Sequence, residues 1–251
     1  MDLFAFPPIA LLLDGAYALV QGIATLLNPF AGTASAAIAI VVLTLLVRTA
    51  LIPVGASQVK AEWHRRRIAP KLQSLQRKYK KNPQLLQQKT AALYKAENVS
   101  PFAGFLPTLL QAPVISLVYA LFIRTTIDGH PNELLGEHVG GVTLGSSVFN
   151  SGWPGVLVFL ALFAAIGVTA WFSRRTALSL ALPNPDATPA VITTQKVLSW
   201  LPFITVLFAA LVPLAAVLYL ATTTLWTLLE RSLLRRRYWG ETGSLVPAPA
   251  P

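Results

Sequence analysis

Residues 33–54 read TASAAIAIVVLTLLVRTALIPV, a run whose only formal charge is Arg48. A hydrocarbon core about 30 Å thick is crossed by about twenty mainly apolar residues, so this run predicts a transmembrane helix. Arg48 lies six residues before its end at Val54, roughly 9 Å inside the boundary at 1.5 Å per residue. A charge at that depth costs from about 3 to more than 10 kcal/mol unless it is hydrated or paired. Two readings account for it. Arg48 snorkels to the headgroups, or it lines a water-filled recess that opens to one side of the membrane.

The rest of the chain has the same character. Of 251 residues, 54% are hydrophobic and 12% charged, with mean hydropathy +0.59; a soluble domain carries about 25% charged residues. Further apolar runs predict spans at 101–123 and 153–173. The run 197–229 would be roughly 50 Å long as one helix, too long for one crossing, and Pro213 divides it into spans at 197–212 and 213–230. No Asp or Glu lies within the body of these five spans, and Glu230 falls at the end of the last.

Charge assigns the sides. Residues 57–97 hold eleven Lys or Arg against Glu62 and Glu97 alone. Further positive charge sits at Arg174, Arg175 and Lys196 and at Arg231, Arg235, Arg236 and Arg237, whereas 125–152 holds Asp128, Glu133 and Glu137 with no Lys or Arg. The positive-inside rule puts the basic segments in the cytoplasm. Five spans with the N-terminus outside and the C-terminus cytoplasmic satisfy it. Cys is absent, and His130 and His138, with Glu133 and Glu137, match no metal-ligand spacing. With no phosphate-binding Gly-rich loop, no catalytic site, cofactor or metal is expected, and no enzymatic activity.

Before the first span, Asp14, Tyr17, Gln21, Thr25 and Asn28 recur at steps of three and four along 9–28. That pattern predicts an amphipathic helix lying in the membrane interface; a sixth span, with a cytoplasmic N-terminus, is the alternative. Asp2, with no Lys or Arg before the apolar run, argues against a cleaved signal peptide. The basic segment predicts two helices, 57–81 and 83–96, with Asn82 as N-cap and Pro83 at the first helical position. Leu72, Leu75 and Tyr79 form one seam and Leu86 and Leu93 the other, and Pro70 is expected to kink or interrupt the first helix. This hairpin rests on anionic lipid headgroups or docks an acidic partner such as ribosomal RNA or a targeting factor; charge alone does not choose. Trp63 and His64 beside Arg65, Arg66 and Arg67 mark a membrane-surface anchor.

Polar residues in the spans cluster toward the cytoplasmic side: Thr44, Thr108 and Gln111, Thr169 and Ser173, and Thr222, Thr223, Thr224 and Thr227, with Thr205 near the middle of its span. The outer halves of the last three spans carry one polar side chain, Tyr219. A through-pore needs polar lining along its whole length, so the asymmetry describes a groove open inward and sealed outward. Any single Thr is equally accounted for by a bond to its own backbone.

Four motifs in order carry a family resemblance. They are Leu43-Thr44-Leu45-Leu46-Val47-Arg48 followed by Pro53; the hairpin with Pro70 and Asn82-Pro83; Asn98-Val99-Ser100-Pro101-Phe102-Ala103-Gly104 with Leu106-Pro107 and Gln111-Ala112-Pro113; and Trp200-Leu201-Pro202 with Pro213-Leu214-Ala215-Ala216-Val217-Leu218-Tyr219 and Trp226. The chain resembles the YidC-type membrane insertases (the YidC/Oxa/Alb group) in their short form. The resemblance implies an insertase that moves client helices from the cytoplasm into the bilayer without nucleotide hydrolysis. It assigns the groove arginine to Arg48 and the groove aromatic to Trp226, beside Thr44, Gln111 and Thr223. Its implied partners are nascent membrane proteins, the ribosome, a Sec translocon and anionic lipids, for a monomer in a bacterial plasma membrane. Two features depart from the family: a glutamine common near the inner end of the third span is replaced by Thr169-Ala170-Trp171-Phe172-Ser173, and the basic C-terminal tail is short.

The expected fold is therefore an all-α membrane protein: five transmembrane helices, an N-terminal interfacial helix and a cytoplasmic helical hairpin. Residues 1–32 carry the interfacial helix, 33–232 the five-span core including the hairpin 57–97, and 233–251 a short cytoplasmic tail. A small transporter or channel and a non-catalytic assembly scaffold are the rival readings.

Overall fold

A backbone in hydrocarbon satisfies its N–H and C=O groups within helices or closed barrels, and helices dominate here. The computed structural model describes residues 7–100, 102, 106–127, 129–181 and 189–240, leaving aside the side chains of residues 106–108, 110, 189, 239 and 240. Its helices are α1 (Pro7–Ala31), α2 (Ser35–Ala50), α3 (Ile52–Lys78), α4 (Pro83–Ala96), α5 (Leu106–Ile123), α6 (Gly152–Ser179), α7 (Pro189–Leu198), α8 (Leu201–Ala209) and α9 (Leu214–Gly240). Between α5 and α6 lie two antiparallel ladders, β1 (Thr126–Ile127) with β2 (His130–Pro131) and β3 (His138–Val139) with β4 (Val142–Thr143). Among the described residues, Pro7–Ala50, Gly152–Ser179 and Ala190–Ala209 are helical stretches long and apolar enough to cross a membrane, and Gln111–Ile123 is a shorter apolar helix.

The chain forms two compact units. The first holds residues 1–50, 112–180 and 189–228, and the second holds 51–111, 181–188 and 229–251.

In the first unit, Gly32 at φ +51° ends α1 in the left-handed region that glycine tolerates, and α1 packs against α2. The apolar core gathers around the β1–β4 segment. Ile127, Leu134, Val142 and Leu144 pack with Leu121 and Phe122 of α5, Phe159 of α6 and Leu214 to Val217 of α9. The acidic segment 125–152 is thus a folded cap rather than a plain loop. Its tight turn uses Gly140 (φ +58°) and Gly141 (φ +81°), the pairing that a two-residue hairpin turn favours. Asn132 donates from Nδ2 to the carbonyls of Leu121 and Arg124, both at 2.9 Å, closing the end of α5. The carbonyls of Ser146 and Leu144 accept from Leu214 N and Ala215 N, both at 2.9 Å. These satisfy N–H groups that every helix start leaves without an intrahelical acceptor.

Pro213 breaks the apolar run as its sequence requires, since α8 ends at Ala209 and α9 begins at Leu214. A second break, absent from the sequence reading, falls at Ser199–Trp200 inside the span expected at 197–212. Arg174 of α6 holds it, lying over the Trp200 ring at 4.3 Å and donating from Nε to Ser199 Oγ at 3.2 Å. Helix α9 runs on to Gly240, beyond the end expected for the last span at 230–232.

In the second unit, α3 starts at Ile52, five residues before the hairpin helix was expected. Leu51 separates it from α2, and Pro53 occupies its first turn, where a missing N–H costs no bond. The helix also runs through Pro70 without interruption. Asn82 Oδ1 accepts from Leu85 N at 3.1 Å, capping α4. Both acidic residues of the basic segment are paired: Glu97 with Arg67 at 3.0 Å and with Lys71, and Glu62 with Arg235 at 3.0 Å and Arg66 at 3.6 Å. Lys71 and Arg67 hold the Glu97 carboxyl below the usual carboxylate range. Residues 101 and 103–105 of the third sequence motif lie outside the described residues, as do residues 1–6 and the end of the tail from 241.

Candidate functional site

Helix α2 carries two buried polar residues one turn apart, Thr44 (1% exposed) and Arg48 (8% exposed). Positions four apart on a helix share a face, so both meet the interior of the first unit. Arg48 Nε donates to Thr223 Oγ1 of α9 at 2.6 Å. Arg is charged at any physiological pH and presents five N–H donors in a planar fork. Guanidinium groups pair with carboxylates through strong charge-assisted hydrogen bonds.

Thr223 stands in a run of three threonines, and the structure separates them. Thr222 donates to Leu218 O at 2.8 Å and Thr224 to Leu220 O at 2.7 Å, while Thr227 donates to Thr223 O at 2.8 Å. Those three hydroxyls make the local backbone bond available to any helical Thr, as do Thr44 to Ile40 O at 2.7 Å and Thr169 to Ala165 O at 2.8 Å. Thr223 alone of this run reaches another helix. One turn earlier on the same helix stands Tyr219, buried at 3% exposure. One turn later, the indole Nε1 of Trp226 is buried without a hydrogen-bond partner among the described residues. A buried donor left open costs about 1–3 kcal/mol, a cost that an incoming acceptor removes.

Of the five residues named from the sequence, Thr44, Arg48, Thr223 and Trp226 belong to the first unit. Gln111 belongs to the second, where its Oε1 accepts from Gln58 Nε2 at 3.1 Å. Thr108 lies among the side chains outside the description. Glu230, the acid nearest to Arg48 along the expected spans, rests against Gly55 in the second unit, where its carboxylate leaves no room for a Cβ. Nothing in the sequence pointed to Gln58 as the partner of Gln111.

Among the described residues no three of His, Asp and Glu come together as a metal-ligand group. His64 of α3 has a pKa below its ordinary value, from burial first and then from Arg67 and Lys60. Its ring stands edge-on to Trp63, with Arg67 over the Trp63 face at 5.2 Å.

Residues 26–241 match the family described as 60Kd inner membrane protein. A Clostridium perfringens protein named membrane protein insertase YidC is 37% identical over 119 residues, 47% of this chain and 50% of the relative. A Granulibacter bethesdensis protein of the same name is 28% identical over 204 residues, covering 80% of this chain and 35% of the relative. One from Clostridium tetani is 38% identical over 85 residues, 34% of this chain and 39% of the relative. The matched stretches thus span between about a third and a half of these relatives' own length.

Proposed function

Because this chain belongs to the 60Kd inner membrane protein family, the YidC/Oxa/Alb group, we propose that it is a membrane protein insertase acting without catalysis or cofactor. It receives client helices from the cytoplasm in a polar groove around Arg48 and releases them sideways into the bilayer. The observation that carries this reading is Arg48 itself, 8% exposed and hydrogen-bonded to Thr223 inside the first unit.

The short polar tail of a client, carrying Asp or Glu, enters the groove and is drawn to the Arg48 guanidinium. Attraction between charges grows as the effective dielectric falls, so a recess inside the bundle binds a carboxylate more strongly than bulk water allows. Thr44 and Trp226 line the same groove, the indole offering its open N–H. The apolar packing around the β1–β4 cap closes the far end, so the tail does not meet an aqueous pore. The client helix then partitions into lipid, driven by burial of its own apolar surface at about 25 cal/mol per Å2.

Five crossings, with an external N-terminus, an interfacial α1 and a cytoplasmic C-terminus, place the α3–α4 hairpin where a nascent chain arrives. That hairpin's basic surface meets the ribosome, a Sec translocon or anionic headgroups, and one monomer suffices to build the groove. The test is insertion of a single-span client with an acidic N-terminal tail into proteoliposomes, scored by protease protection. Insertion above empty liposomes is expected. Insertion at the level of empty liposomes, together with solute flux through the same vesicles, turns the reading to a small transporter.

A further inference from the structure

A cavity of about 370 Å3 lies in the first unit, away from Arg48, between α1, the start of α2 and the short turn after β2. Its wall includes Gln21, Thr25, Asn28, Ser35, Glu133 and Glu137. Among the described residues no Lys, Arg or His lines it, so its formal charge is negative.

The polar groups of this wall are mostly acceptors. Gln21 spends its Nε2 on the Tyr17 hydroxyl at 2.6 Å, and that hydroxyl also accepts from Glu133 N at 3.1 Å, tying the turn to α1. The Gln21 amide oxygen is thereby left as an acceptor. Thr25 donates its hydroxyl proton to Gln21 O at 2.9 Å, leaving oxygen lone pairs. Ser35 supplies a separate observation. It is 7% exposed and lines the cavity, yet its hydroxyl makes no hydrogen bond among the described residues, unlike the threonine hydroxyls that bond back to their own helices. That hydroxyl belongs to the cavity wall and is left to an occupant of the cavity.

We propose that this cavity binds a primary ammonium group, carried by a phospholipid headgroup or by a soluble amine. An ammonium offers three N–H donors and no acceptor, matching two carboxylates, an amide oxygen and hydroxyl oxygens. A bare divalent cation fits less well, because it gathers about six to eight oxygens at about 2.3–2.6 Å around one point. Here the oxygens stand on three separate elements around a space many times the volume of an ion. Leu26 (75% exposed) and Phe30 (89% exposed) flank the lining residues on α1 and offer apolar surface to an acyl chain, which places the lipid source first.

The test uses the purified full chain in detergent, with native mass spectrometry of retained lipid and calorimetric titration with ethanolamine. The probes are phosphatidylethanolamine, phosphatidylcholine (whose quaternary nitrogen has no N–H) and phosphatidylglycerol. Wild type retains phosphatidylethanolamine over the other two, and ethanolamine displaces it. The Glu133→Gln/Glu137→Gln double variant weakens retention at least about tenfold, or about 1.4 kcal/mol. Ser35→Ala weakens retention with unfolding unchanged. Ethanolamine binding that the double variant abolishes, without preference among the lipids, assigns a soluble amine as the source. Retention by the double variant equal to wild type, or no ethanolamine binding at all, overturns the proposal.

Discussion

Replacing Thr223 by Val removes the acceptor of the Arg48 Nε bond, 2.6 Å long, with almost no change of volume. No cavity is created, so the energy lost is that of one hydrogen bond to a charged group, about 1.5–3 kcal/mol. The upper half of that range applies, because Arg48 is 8% exposed and water is poorly placed to take over. Thr222→Val is the matched control. Its hydroxyl donates only to Leu218 O of its own helix, and its loss is expected to cost no more than about 0.5 kcal/mol. The assay is equilibrium unfolding of the full chain in mixed micelles, followed by tryptophan fluorescence. Repeating Thr223→Val in an Arg48→Gln background closes a double-mutant cycle, in which the Thr223 effect shrinks to about 0.5 kcal/mol or less. Equal costs for the two Val variants, or an undiminished Thr223 effect without Arg48, would refute the pairing as an energetic feature of the bundle.

Other consequences are testable on the same protein. Asn132→Ala removes two bonds to the carbonyls that end α5, and a loss of about 2 kcal/mol is expected in the same unfolding measurement. Asn82→Ala removes the α4 cap and should cost about 1 kcal/mol, read as faster amide exchange across Pro83–Ala96 with no change in α6. The Glu97 carboxyl is held below its ordinary value by Lys71 and Arg67. Its contribution to the hairpin is therefore complete above the ordinary carboxylate pKa and is lost as pH falls through the lowered one. Exchange protection of α4 should stay constant from about pH 7 to about pH 5 and fall in stronger acid, and Glu97→Gln should flatten that acid limb.

The features readable in the sequence are those with local chemistry. Asn82-Pro83 names a helix start by itself, and Pro213 stops a helix whatever surrounds it. Arg48 stands out because a charge in an apolar span needs a cause, yet the sequence alone left snorkelling and a polar recess both open. The boundary near Leu51 was less legible, since a proline such as Pro53 fits the end of one helix and the first turn of the next equally well. The break at Ser199–Trp200 depends on Arg174, 25 residues away in sequence, and no local pattern reveals it. The packed cap between α5 and α6 carries little local signal, since Ile127, Leu134, Val142 and Leu144 follow neither helical nor strand spacing. Gly140-Gly141 was its one visible turn signal. At the candidate site, four neighbouring threonines look alike in sequence. Only the rotation of α9 about its axis selects Thr223 to meet Arg48, and that rotation is set by the whole bundle.

The central claim is that the Arg48 charge receives an acidic client tail. Insertion into proteoliposomes, compared for wild type and Arg48→Ala with clients whose tails carry an Asp or its Asn replacement, tests it most directly. Arg48→Ala, still folded, is expected to lose insertion of the Asp client and largely keep that of the Asn client. Equal insertion of the Asp client by both proteins would contradict it and leave Arg48 as a packing residue of the bundle.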